Sequence, residues 1–357
     1  MLELTTNKTL IICLVILNII SLTSLYSSLH QGGEFKYKNI FYRQIFWILI
    51  FWIIIWIVSF INYRFYFDTA FLIYGLSVIL LIAVKIFGKE IMGAQRWFSF
   101  FGINFQPSEF SKLAIVLVLA RMFSEEASFS FLNKVLFPLF FVLISAFLVF
   151  KQPDLGTAAI LFLLFFVMGL SSKTKKRYFV AILIAGVILS PLAWHFLKDY
   201  QKKRIAVFIN PNVDPLGAGY TIIQSKIAIG SGGLAGKGFL SGTQNQFNFL
   251  PERHTDFIFT VVAEEFGFLG CLVLIFLYFF ILRVIYKKIR HIKDSFAQFL
   301  CVGIYSILFL HVFINIGMTM GFVPVVGLPL LLLSYGGTHL IITAIFIGIF
   351  FNISRQW

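Results

Sequence analysis

Charge is scarce in this chain. Only 12% of its 357 residues are Asp, Glu, Lys or Arg, about half the share in a soluble globular protein. That deficit excludes an ordinary water-soluble fold. With 59% hydrophobic residues and a mean hydropathy of +0.93, it places the chain in a bilayer. Cysteine is scarcer still. Cys13, Cys271 and Cys301 all fall inside apolar runs, which excludes a disulfide framework and a cysteine zinc site and leaves the redox compartment open. Acidic residues are few, 15 against 29 Lys and Arg, for a net charge of +14. No basic stretch is interleaved with a soluble fold, so nucleic acid is excluded as a partner. Basic groups on a membrane protein meet anionic lipid headgroups instead. The first apolar run lacks a small-residue cleavage site, so it reads as an anchor rather than a removed signal.

Long apolar runs are what the chain has in abundance. Ten approach the roughly 20 residues that cross a hydrocarbon layer: 9–27, 44–61, 67–87, 110–123, 134–150, 157–172, 178–197, 257–283, 297–320 and 329–353. The expected fold is therefore an all-α integral membrane protein of ten transmembrane helices. It forms a single polytopic membrane domain over 1–357, with one large extracytoplasmic loop, 198–256, between helices 7 and 8. An even number of spans puts both termini on one side, together with the basic clusters 173–177 and 287–290. The positive-inside rule makes that side the cytoplasm. Much of the basic charge on the other face sits in 198–256, a loop long enough to translocate largely regardless of charge, and an anionic substrate handled there would supply a reason for the excess.

Polar motifs punctuate the external loops. Ala94-Gln-Arg-Trp97 precedes Gln106-Pro-Ser-Glu109 and Lys112. Pro107 suits the first turn of a helix, Glu109 complements its positive end, and Glu109 and Lys112 share a face three residues apart. Arg96, Trp97 and Lys112 could line a polar pocket; an Arg beside a Trp could equally be an interfacial anchor. Lys151-Gln-Pro-Asp-Leu-Gly-Thr157 reads as a sharp turn. There Lys151 and Asp154 either cap helices or face the same pocket.

Residues 202–209 read as an amphipathic helix at headgroup level. The glycine-rich run Ile227–Gly238 fails as a nucleotide phosphate loop: Ser231 stands where the first glycine belongs, and Gly238 follows Lys237 in place of Ser or Thr. A flexible loop whose backbone approaches a ligand fits it better. The segment Pro251-Glu-Arg-His-Thr-Asp-Phe257 then enters the eighth apolar run. Asp256 there is either an N-terminal cap or a functional carboxylate at the membrane surface. Glu264 and Glu265 follow about two turns deeper; one is expected to pair with Lys112 or Lys151 and the other to face a cavity. His254 and Asp256 could ligate a metal, but no Cys/His set completes such a site. Asn315 sits in the ninth run, and Ser334-Tyr-Gly-Gly337 breaks a helix within the apolar layer. Broken backbone there is tolerated only when buried in protein or lining a wet cavity.

These motifs, with Gly230-Ser-Gly-Gly233 and Ala263-Glu-Glu265, resemble in order and wording the SEDS family (shape, elongation, division and sporulation). The resemblance runs from about residue 90 to the C-terminus, while the first 85 residues match only in hydropathy. The wording is closer to the elongation member than to the division member.

The resemblance implies a peptidoglycan glycosyltransferase of the bacterial cytoplasmic membrane. Such an enzyme would polymerise lipid II, the polyprenyl-pyrophosphate-linked disaccharide, on the outer face. It further implies a class B penicillin-binding transpeptidase as partner, alongside other elongation-complex membrane proteins, and Asp256 as the catalytic acidic residue. Glycosyl transfer needs a base for the incoming sugar hydroxyl and cations for the pyrophosphate. Arg96, Lys112, Lys151, Arg204 and Arg253 are candidates for the clamp. Trp97, Glu109, Asp154, His254, Glu264 and Glu265 complete the substrate-binding set. A divalent cation (Mg or Mn) with the pyrophosphate stays open. The alternatives are a transporter that flips lipid II, a non-catalytic scaffold, and a division-specific polymerase.

Overall fold

A computed structural model describes all residues except 1, 32–33, 36–37, 92–93, 101–102, 126–130, 198 and 218. Helices dominate it. They are α1 (Leu2–Ser28), α2 (Lys38–Phe60), α3 (Tyr63–Phe87), α4 (Pro107–Ser124), α5 (Phe137–Phe150), α6 (Leu155–Leu170) and α7 (Lys176–Phe196), then the short α8 (Asp199–Ile209), α9 (Tyr220–Ser231) and α10 (Thr243–Gln246), then α11 (Ile258–Ile289), α12 (Ser295–Met320) and α13 (Gly337–Gln356). A π-helical turn, Leu132–Leu136, leads into α5. The strands form a short hairpin, β1 (His30–Gln31) with β2 (Glu34–Phe35), and an antiparallel sheet of β3 (Lys89–Ile91), β4 (Ala94–Phe100) and β5 (Ile103–Phe105), with β4 in the middle.

Seven helices among the described residues are long and apolar enough to cross a membrane: those at 7–28, 38–60, 63–87, 132–150, 258–289, 295–320 and 337–356. The apolar α6 is shorter, and the 18-residue α4 carries Glu109, Lys112 and Arg121. The charges in α4 are tolerated because it is the central helix. Every residue from Leu113 to Ala120 is buried, and α3, α5, α6, α12 and α13 all pack against it. A helix buried on all sides has no need of an amphipathic stripe. The outer helices show the reverse: α3 exposes Leu72, Ile79 and Ile86, and α11 exposes Phe268, Val273 and Phe276.

Two sequence expectations change here. The last apolar run, 329–353, is helical only from Gly337, and residues 323–336 form an irregular segment. Three hydroxyls, of Ser334, Ser21 and Tyr278, hold it in place. Ser334 Oγ donates to the Thr255 carbonyl (2.6 Å) and accepts from the Leu330 amide (2.9 Å), and Ser21 Oγ donates to the Leu333 carbonyl (2.7 Å). Tyr278 Oη donates to the Leu331 carbonyl (2.6 Å). Irregular backbone at this depth persists because its polar groups are bonded.

The glycine-rich run is also not the free loop expected. It begins inside α9, which packs on α11 and α12, and then runs beside a break in α11 at Gly267. The Lys237 and Gly238 amides donate to the Glu264 and Glu265 carbonyls (both 3.0 Å), while the Phe268 and Leu269 amides donate back to Gly233 and Leu234 (2.9 and 3.1 Å). Gly236, at φ +82°, lies so close that an added Cβ would fall 2.1 Å from the Glu265 carbonyl oxygen. The close approach in the structure is to α11.

Candidate active site

The polar residues 251–256 do not cap α11. The helix starts at Ile258 with Phe257 as its cap residue and no side-chain capping bond, so the capping role considered for Asp256 is not the one it plays. A compact turn holds the segment instead: the Thr255 and Phe257 amides both donate to the Glu252 carbonyl (3.1 and 3.2 Å). That turn is tacked residue by residue onto the irregular segment before α13. The Tyr335 amide donates to the His254 carbonyl (3.0 Å), and Ser334 Oγ takes the Thr255 carbonyl. Asn315 Nδ2 donates to the Asp256 carbonyl (2.8 Å) and to the Leu328 carbonyl (2.7 Å). The Asn315 side chain therefore fixes the backbone of Asp256 and leaves its carboxylate to the space in front.

That space is a cavity of about 670 Å³. Asp256, Arg96, Trp97, Glu109, Asp154 and Arg204 line it, together with Arg43, Glu252, Tyr335 and His339. Among the described residues no hydrogen bond or ion pair reaches the Asp256 carboxylate. Its Oδ2 lies where a Cβ on Gly327 would come within 3.3 Å, and Gly327 has φ +71°; a side chain there would be strained and would crowd the acid. Burial pushes the Asp256 carboxyl up to about 7, with Glu252 and Asp154 raising it further and Arg204 and Arg96 pulling it down. Burial holds the neighbouring His254 below the ordinary histidine range. A carboxyl poised near neutrality in a cavity suits proton transfer.

Arg96 comes from β4 and is held from behind. Nε and Nη2 donate to the Gln152 and Pro153 carbonyls, each at 2.6 Å. The 151–154 turn thus aims the guanidinium rather than neutralising it. Asp154 does both things its position allowed. It caps α6, accepting from the Thr157 amide (3.0 Å) and hydroxyl (2.9 Å), and it lines the cavity. Lys151 does only the first: it is the C-cap residue of α5, its amide donating to the Phe147 carbonyl, and its exposed ammonium stands 5.3 Å from the Phe147 ring centre, outside the cavity lining.

The other sequence-derived candidates lie outside the cavity lining. Lys112 is buried, bonded to Glu109 Oε1 (2.6 Å) and to His311 Nε2 (2.9 Å), while His311 Nδ1 donates to the Pro329 carbonyl (3.0 Å). Arg253 Nε donates to the Ser28 carbonyl (2.7 Å) at the end of α1. The His254 ring stands 6.2 Å from that of Tyr335, centre to centre. Glu264 is saturated: Oε1 accepts from Lys237 Nζ (2.8 Å), Thr243 Oγ1 (3.1 Å) and the Gln244 amide (3.0 Å), and Oε2 from Asn245 Nδ2 (3.0 Å). Glu265 accepts from Ser27 Oγ. Neither glutamate pairs with Lys112 or Lys151, because both face the 233–246 segment and α1 rather than α4 and the 151–154 turn.

Arg43, Glu252, Tyr335 and His339 line the cavity without having been singled out from the sequence as site residues. Arg43 stands at the edge of the second apolar run, where an arginine looks like an interfacial anchor. His339 closes the helix-break motif, which drew notice for its backbone.

Comparison with known proteins gives one answer. Residues 5–357 match the FtsW/RodA/SpoVE family of cell cycle proteins. The peptidoglycan glycosyltransferase MrdB of Escherichia coli K12 is 45% identical over 293 residues, covering 81% of this chain and 79% of that one. Among solved structures, a chain of a peptidoglycan synthase complex that coordinates polymerization and crosslinking superposes with a TM-score of 0.82 at 32% identity, over 97% of both chains. The rod shape determining protein RodA of Thermus thermophilus gives 0.73 at 26%, over 97% of this chain and 96% of that one.

Proposed function

The chain belongs to the FtsW/RodA/SpoVE family, and from that premise we propose how its cavity works as a site of glycan synthesis. The protein is a peptidoglycan glycosyltransferase. On our reading its ten apolar helices, including α4, α6 and α7, all span the bacterial cytoplasmic membrane as a single domain. The cavity opens to the outer face beneath the 198–256 region, and the role is in elongation and rod shape. Its substrates are two molecules of lipid II.

The observation that carries the mechanism is the Asp256 carboxylate, fixed through its own backbone by Asn315 and left without a hydrogen-bond partner among the described residues. With a pKa of about 7, it is ionised in a large fraction of molecules at physiological pH and strong enough to take the proton from an incoming sugar 4-hydroxyl. Arg96, Arg204 and Arg43 face the same cavity and offer planar, charge-assisted donors to a departing pyrophosphate as its negative charge grows. An α-linked pyrophosphate donor becomes a β-linked glycan, so one inverting displacement suffices, with no covalent sugar–enzyme intermediate. Among the described residues no group of three or more His, Cys, Asp or Glu could hold a metal; a divalent cation would ride mainly on the pyrophosphate oxygens. A class B penicillin-binding transpeptidase would take the nascent strand for crosslinking within an assembly of elongation-complex membrane proteins.

The test is polymerisation of labelled lipid II by the purified protein with its transpeptidase partner, read as glycan ladders. Asp256→Asn and Asp256→Ala are each expected to lower the rate by about 10²–10⁴-fold with unchanged expression and partner binding. Full activity in both variants would remove Asp256 as the base. Movement of lipid II between leaflets without ladders from the wild type would replace the polymerase reading with a transporter.

A further inference from the structure

The cavity has two polar poles, and the mechanism above uses only one. Asp256 is surrounded electrostatically by Glu252, Arg204, Asp154 and Arg96. His339 lies in the first turn of α13 and has a different set of charged neighbours, Glu109 and Lys112. His339 is 6% exposed and forms part of the cavity wall. Neither Nδ1 nor Nε2 has a hydrogen-bond partner among the described residues, although the Tyr335 backbone is close enough to act on the ring electrostatically.

A buried imidazole whose nitrogens meet no protein group needs partners from the cavity it faces, and the backbone beside it limits its position. Its Cδ2 and Nε2 lie 2.7 Å from the position a Cβ would take on Gly336, so the ring rests on the backbone of the helix break. Beside it, Glu109 lines the cavity with Oε1 held by Lys112 and Oε2 left without a hydrogen bond among the described residues. An uncharged imidazole brings one N–H and one lone pair, and the carboxylate oxygen brings further acceptor capacity. The Lys112 ammonium at this pole is already taken by Glu109 and His311, whereas Arg96, Arg204 and Arg43 line the cavity with guanidinium groups; the His339 pole therefore suits neutral groups that both donate and accept, namely sugar hydroxyls and amides.

The geometry points to His339 as a ligand-binding residue that recognises the saccharide portion of the substrate from the part of the cavity wall it shares with Glu109. It rests on the glycosyltransferase reading and goes beyond it by dividing the cavity. Charge recognition of the pyrophosphate belongs to the arginine-bearing side. Recognition of the neutral hydroxyl and amide groups belongs to His339 with Glu109 Oε2. A site built to bond such groups discriminates strongly against ligands lacking them, because its own polar atoms are then left unpaired.

The experiment measures binding in the Asp256→Asn background, where ligand is not consumed, adding His339→Phe or His339→Gln. The two probes are lipid II and sugar-free undecaprenyl pyrophosphate. His339→Phe is expected to bind lipid II about tenfold more weakly, the loss of one hydrogen bond, with unchanged affinity for the sugar-free lipid. It is also expected to melt no lower than its parent, since an orphaned polar group has been removed. His339→Gln, which can still donate and accept, is expected to recover most of the lost affinity. Unchanged lipid II binding in His339→Phe, equal weakening toward both probes, or a lowered melting temperature that accounts for the loss would each overturn the assignment. Failure of the Asp256→Asn parent to bind lipid II, with no glycan from the wild type, would instead overturn the polymerase reading, and this proposal with it.

Discussion

Two acidic sites lie within nine residues of each other around the start of α11, and the protein treats them in opposite ways. Glu264, inside the helix, is fully buried and accepts four hydrogen bonds, one from the ammonium of Lys237. Asp256, just before the helix, has its backbone carbonyl bonded by Asn315 and its carboxylate bonded by nothing among the described residues. The first arrangement is what a buried charge requires to survive. The second is costly and is sustained only because the surrounding backbone is over-determined, as at functional sites where structure stores an unfavourable group. An acid in an apolar protein therefore does not by itself announce function. The state of its hydrogen-bonding capacity separates the two roles.

The comparison breaks most visibly at Glu264. Replacement by Ala takes the acceptor from four donors at once; Lys237 can still reach solvent, but Asn245 is buried, and each buried donor left unmet costs about 1–3 kcal/mol. Glu264→Ala is expected to lower the melting temperature in detergent sharply and to lose activity only in proportion to lost folded protein. Per-molecule activity abolished at full stability would move Glu264 into the chemistry. Ser334→Ala should cost less, about 1–3 kcal/mol, because the Thr255 carbonyl and the Leu330 amide lose a partner. Since Ser334 helps to place the turn that carries Asp256, the rate should fall with little change in KM; a change confined to KM would show that the turn is held without it.

The finest test uses pH. The folded Asp256 carboxyl titrates at about 7 against an ordinary 3.8, so the folded state binds this proton more tightly than the unfolded state. Its contribution to stability is therefore fully present below about pH 4 and is lost as pH rises towards and through 7. Activity moves the other way, rising as the base ionises through the same range. Asp256→Asn, which cannot ionise, should gain stability relative to wild type between pH 4 and pH 8. A constant stability difference over that range would show that Asp256 titrates as an ordinary surface acid. The site is thus expected to be least stable where it is most active.

Much of this was legible in one dimension. The apolar runs foretold where helices stand, because an α-helix can cross a bilayer only as a long apolar stretch with its backbone bonded within the segment. Pro107, Asp154 and the Ser334–Gly337 break announced helix starts and interruptions through local stereochemistry. Asp256, Arg96, Asp154 and Arg204 stood out as polar groups in an apolar chain. Partnerships between distant residues were not legible. Nothing local ties Lys237 to Glu264, Asn315 to Asp256, or Arg96 to the carbonyls of residues 152 and 153. Arg43 and His339 were passed over because an arginine at the end of an apolar run and a histidine after a Gly-Gly break each have an ordinary explanation nearby.

Composition and the length of its apolar runs by themselves determined that this chain lies in a membrane as a bundle of helices, because hydrophobic transfer is summed over residues and needs no knowledge of their neighbours. Only the tertiary structure decided which buried charges are paired and which are left for a ligand. Hydrogen bonding acts over about 3 Å, and in this fold such contacts join residues up to a few hundred positions apart.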